Sequence, residues 1–159
     1  MLDDETRGFL EGGCALIVGT VGEDGAPHAG RGWGMAILEV GRPARCRVLL
    51  DADDELSVAH VAGGGNIAVT ATSVLTLRSM QLKGQAIGVE VVTAEDEARA
   101  AAYIEEFYGL VHEVDDVAWE VFAAILPSGY VGCVFEAHER FDQTPGPGAG
   151  ARVEGADGG

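Results

Sequence analysis

The chain has 159 residues, 47% of them apolar and 6% aromatic, a size and balance suited to one soluble domain with a real core. Asp and Glu number 26 against 10 Lys and Arg, a formal net charge of −16, and a surface field of that sign repels nucleic acid and anionic membranes. No run approaches the ~20 apolar residues of a spanning helix. MLDDETRGFLEGG at the start is acidic, so neither membrane anchor nor secretory leader is expected. Cys14, Cys46 and Cys133 are far apart in apolar surroundings, as in reduced, buried thiols of a cytoplasmic protein. No CxxC or HxxxH pairing joins them to His28, His60, His112 or His138, so no metal site is expected.

In chain order, Asp3 can cap a short helix over DETRGFLEG, which stops at Gly12-Gly13. CALIVGTV is a first strand, GEDGAP a turn, and HAGRGWGMAILEV the returning strand. Glycines 30, 32 and 34 inside that strand predict either a bulge or a close approach of ligand to backbone. GRPAR is a turn and CRVLLDA a third strand. DDELSVAHVAG predicts a short helix capped by Asp53 or Asp54, with Leu56, Ala59 and His60 at helical intervals. IAVTATS and TLRSMQLKGQAIGVEVVT supply further strands.

The period then changes. Thr93 can cap a helix through TAEDEARAAAYIEEFYGLV, whose first turn is acidic, as the helix dipole favours. Ala101, Ile104, Phe107 or Tyr108, and Val111 fall on one face. DDVAWEVFAAIL predicts a second helix, with Val117, Val121, Phe122 and Ile125 on one side, and GYVGCVFEAHERFDQT returns to strand. Residues 1–145 form one domain, and 146–159 are expected to be a flexible Gly/Pro-rich tail. The fold class expected is mainly β with helices, an antiparallel barrel with helices at its ends.

Three stretches carry a resemblance: GTVGEDGAPHAG, RVLLDADDELSVAHVAGGGNIAVT and RSMQLKGQA, followed by the late helical pair. In this order they resemble the pyridoxamine 5'-phosphate oxidase-like family, the FMN-binding split β-barrels, over about residues 5–145. The resemblance implies a homodimer with FMN in grooves at the subunit interface, and an oxidoreductase acting on a small molecule. Gln81 occupies the place of a glutamine that faces the flavin, and an amide offers both donor and acceptor to the ring edge. Lys83 shares its strand face, whereas Arg78 points to the other and is left out. Arg31 matches an arginine set against the cofactor, with Trp33 beside it. The cofactor-binding set implied is Arg31, Trp33, Arg47, Leu50, Ser57, Ser79, Gln81 and Lys83, with Gln143 and Thr144 near the groove. No catalytic residue is assigned.

Relatives carry a basic pair, often Ser-Arg-Lys, at the start of the short helix; here Glu55-Leu56-Ser57 follows Asp53 and Asp54. Two like charges about 4 Å apart cost roughly 4 kcal/mol at an effective dielectric of about 20, so Arg31, Arg45 or Arg47 would have to compensate. Two alternatives stand beside FMN. One is a deazaflavin or a haem, with His60 or His28 as axial ligand. The other is a cofactor-free dimeric binding protein.

Overall fold

The computed structural model describes residues 2–154. A helix α1 (Asp4–Glu11) precedes strands β1 (Ala15–Val21), β2 (Pro27–Glu39) and β3 (Ala44–Asp51); α2 (Glu55–Ala62) leads to β4 (Asn66–Thr72) and β5 (Ser79–Glu90). Helices α3 (Ala94–Asp115) and α4 (Trp119–Ala123) come before β6 (Tyr130–Asp142) and the short β7 (Ala151–Arg152). The order β3-β2-β1-β4-β5-β6-β7 is closed by a β3–β6 pairing, and every pairing is antiparallel. The result is a six-stranded split barrel with β7 on its edge. Closure pairs every strand of the barrel on both sides, which removes its open edges.

Continuous buried runs in β2, β3 and β6 and alternating positions in the other strands build the core. In β1, β4 and β5 the residues Leu16, Val18, Val69, Ala71 and Leu82 point inward and are at most 1% exposed, and Phe135 of β6 fills the centre. The cysteines are buried and free. Burial pushes the Cys14 thiol up to about 11 and those of Cys46 and Cys133 to about 12, so all three stay protonated at neutral pH.

Capping follows the sequence. Asp3 accepts the Thr6 N–H, Asp54 rather than Asp53 caps α2, and Thr93 forms a reciprocal capping box with Asp96. The buried face of α3 is Ala100, Tyr103 and Phe107, one residue round from the expected Ala101, with Ile104, Tyr108 and Val111 flanking it. In α4 only Phe122 is buried; Val121 and Ile125 are exposed because the helix lasts five residues and presents one position to the core. Leu56 is likewise exposed, and Ser57 and Val61 are the buried positions of α2.

The glycines of β2 resolve into internal roles. Gly34 has φ +128° at a bulge against β3, a conformation glycine adopts without steric cost. A Cβ at Gly30 would lie 2.3 Å from Asp54 Oδ2, so this glycine lets α2 close on the barrel. In the Gly/Pro-rich segment after 145, Ala151 and Arg152 pair with Asp142 and Phe141; residues 155–159 of the expected tail lie outside the described residues. No helix among the described residues is long and apolar enough to cross a membrane.

Candidate functional site

Side chains that alternate away from the core line up in rows across the barrel's outer face. The registers place Arg31 opposite Ile17, Ile17 opposite Thr70, Thr70 opposite Gln81 and Gln81 opposite Phe141. The adjoining row runs Ala29, Gly19, Ala68, Lys83, Glu139. Three small residues in succession leave a low floor, and a concavity of about 810 Å³ lies over it, bounded by Asn66 and Lys83. With strands about 4.8 Å apart, Arg31 and Gln81 sit three strands, roughly 14 Å, from each other.

Gln81 is half-buried and held at both ends of its amide. Its Nε2 donates to Thr70 Oγ1 at 2.8 Å, and its Oε1 accepts from Gln143 Nε2 at 3.1 Å. One N–H and one lone pair remain for a ligand. Lys83 lies next along the same face, its Nζ 4.6 Å from the centre of the Phe141 ring, a cation–π contact. Among the described residues neither Arg31 nor Lys83 has a carboxylate within 4.0 Å. An acidic chain that leaves cations without carboxylate partners on one face presents a surface receptive to an anion.

The structure thus brings Arg31, Gln81 and Lys83 to one face and sends the other expected residues elsewhere. Trp33 and Leu50 are core residues, 2% and 1% exposed. Arg47 is buried between Asp96 and Glu90. Ser79 is buried against Thr72 Oγ1 and the Leu77 carbonyl, and its N–H donates to Thr144 Oγ1. Arg78 lies ahead of β5, not on its opposite face; it pairs with Glu5 and covers the Phe9 ring.

The start of α2 is a poor phosphate cradle. Ser57 is fully buried, and its hydroxyl and N–H both go to Asp54, at 2.7 and 3.2 Å. Burial pushes the Asp54 carboxyl up, but these two bonds and the nearby His28 outweigh it and hold it below the usual carboxylate value, so the cap is anionic at neutral pH. His28 Nε2 is 2.9 Å from Asp54 Oδ1, and His60 Nδ1 is 2.9 Å from Thr20 Oγ1. One nitrogen of each imidazole is thereby committed to the protein. Sequence reasoning missed this cluster and the Ala29–Gly19–Ala68 floor. The signal for the floor was present as small residues at outward positions of three separate strands, but only register joins them.

No family model and no curated protein matches this chain. Solved structures do. HupZ of Group A Streptococcus superposes with a TM-score of 0.53 at 16% identity, covering 94% of this chain and all of that one. A protein of Lactobacillus delbrueckii, provisionally assigned as a pyridoxamine 5'-phosphate oxidase, gives 0.52 at 19% identity over 88% and 93% of the two chains. An F420 reductase gives 0.53 at 13% identity over 84% and 94%. With the closed antiparallel barrel described above, these likenesses show that the chain has a split-barrel fold similar to that of these three structures.

Proposed function

We propose that the outer face of β2–β1–β4–β5–β6 binds a flavin, FMN in the first instance, and that the protein is an oxidoreductase for a small molecule, working as a homodimer whose second copy covers this face. The observation that carries the reading is the low Ala29–Gly19–Ala68 floor flanked by the oriented Gln81 amide and by Lys83, which lacks a carboxylate partner. A planar ring can lie on such a floor, which offers Gln81 a ring edge to bond. Bound flavin supplies hydride and single-electron chemistry. The chain's share is to orient the ring through Gln81, to add positive charge through Lys83 and Arg31, and to exclude water with the apolar side chains Ile17 and Phe141. A deazaflavin would use the same floor.

A second reading, a cofactor-free binding protein, draws on α2, where Asp54 fills the place a phosphate would take. The haem alternative has less support, since His28 and His60 are each engaged by a neighbour.

Visible absorption of the purified protein, repeated after adding FMN and desalting, tests the proposal. Retained bands near roughly 370 and 450 nm are expected of an oxidised flavin. Gln81→Ala is then expected to weaken FMN by about 1–3 kcal/mol, the cost of stranding a buried polar group. A wild-type protein that releases all added FMN and stays colourless would favour the cofactor-free reading.

A further inference from the structure

A second concavity, of about 600 Å³, lies between the β2–β3 turn, β6 and β7. Arg42 lines it from the turn, Arg140 and His138 from β6, and Arg152 from β7; Glu139 and Glu154 are its carboxylates. Three of the chain's ten Lys and Arg therefore converge on one hollow. Arg152 is paired with Glu139 at 3.3 Å and Arg42 also has a partner, so the basin's hold on an anion turns on Arg140.

Most arginines of this chain are neutralised by a carboxylate, as in Arg7–Glu11, Arg78–Glu5 and Arg99–Glu95. Arg140 is not: among the described residues no carboxylate lies within 4.0 Å of it, and its guanidinium makes one hydrogen bond, from Nη1 to Thr6 Oγ1 at 3.2 Å. It is half-buried, and the buried Leu2 and Leu82 line the same hollow. A guanidinium has five donors in a planar fork matched to phosphate oxygens. Of the two carboxylates, Glu139 is already met by Arg152 at 3.3 Å.

We propose that this basin is a phosphate-monoester site, with Arg140 as its central ligand and Arg42, Arg152 and His138 at its rim. It lies next to the proposed ring floor, because His138 and Glu139 line both hollows. The site supplies what the α2 N-terminus lacks, a cationic anchor for an anion, and it rests on the flavin reading only for the identity of the ring. The phosphate can belong to the cofactor's own tail or to a phosphorylated substrate.

The test measures affinities of FMN and riboflavin by titration calorimetry, and thermal protection by inorganic phosphate against chloride at equal ionic strength. Wild type is compared with Arg140→Gln and, should that variant fold poorly, with the doubly substituted Arg42→Gln, Arg152→Gln at the rim. If the site holds the cofactor's tail, FMN weakens about tenfold or more in the variants, as loss of a charge-assisted bond implies, and riboflavin is unchanged. If it holds a substrate's phosphate, neither flavin changes but protection by inorganic phosphate is lost in the variants. Protection by phosphate in a wild type that binds no flavin would retain the basin and overturn the flavin reading. FMN and phosphate responses identical in wild type and variants would overturn the basin itself.

Discussion

Arg47 shows how a charged residue on a core strand is accommodated. Its Nε and Nη2 donate to the two oxygens of Asp96, at 2.9 and 2.6 Å, Nη1 donates to Glu90, and Nη2 also reaches the Val91 carbonyl. Arg47 is 7% and Asp96 5% exposed, so the pair ties β3 to the start of α3 in a poorly solvated place. Burial pushes the Asp96 carboxyl up, yet Arg47 and the Thr93 N–H and hydroxyl outweigh it and hold it below the usual value. A carboxyl depressed in the folded state stabilises at pH above its unfolded value of about 3.9, and that stability is lost as pH falls through the folded value. Asp96→Asn is expected to cost about 3 kcal/mol in urea unfolding at pH 7, the scale of a broken buried pair. The same variant should flatten the acid limb of the stability curve below about pH 4. Gln81 belongs to the same scale: its amide is positioned by Thr70 and Gln143, so its replacement tests binding with little effect on the core.

At the scale of elements, strand parity decides what faces the candidate site. Gln81 and Lys83 alternate with the inward Met80 and Leu82, and a shift of one residue would exchange the two sets. The turn before β5 helps to set that register. The Ser73 N–H donates to the Arg78 carbonyl and the Leu77 N–H to the Ser73 carbonyl, with Leu77 held at φ +60° and 56% exposed. A left-handed conformation costs a side-chain-bearing residue about 1–2 kcal/mol, while glycine adds roughly 0.4–1 kcal/mol of unfolded-state entropy. Leu77→Gly is therefore expected to stabilise the protein by up to about 1 kcal/mol, read as a higher urea midpoint with an unchanged slope. A lower midpoint would mean that Leu77 packs more than its exposure indicates.

At the scale of the molecule, the face that carries the floor also carries exposed Ile17, at 43%, between Arg31 and Thr70 in the Arg31–Phe141 row. A sheet face that exposes an apolar side chain among Arg31, Thr70 and Gln81 suits burial by a second copy. Light scattering is expected to give about twice the 16.5 kDa of the chain, and Ile17→Lys to shift the protein to the single-chain mass by placing a charge in the covered face. A wild type at the single-chain mass would remove the homodimer from the proposal and leave the floor open to solvent.

The sequence by itself determined the order of elements through β6 and the helix caps, with Asp53 and Asp54 left as alternatives for α2, because these depend on neighbours within a few positions. Asp3, Asp54 and Thr93 cap the helices, and the period-two patterns of β1, β4 and β5 are legible without partners. It also isolated Gln81 and Lys83 on one strand face. Tertiary structure alone decided the rest. Arg47 and Arg31 look alike along the chain, yet Asp96, 49 residues later, takes up the first, and the second stays on the outer face. Gly19, Ala29 and Ala68 become a floor, and Arg42, Arg140 and Arg152 a basin, only when barrel closure sets distant strands side by side. Long-range pairing creates those sites, and no local pattern encodes it.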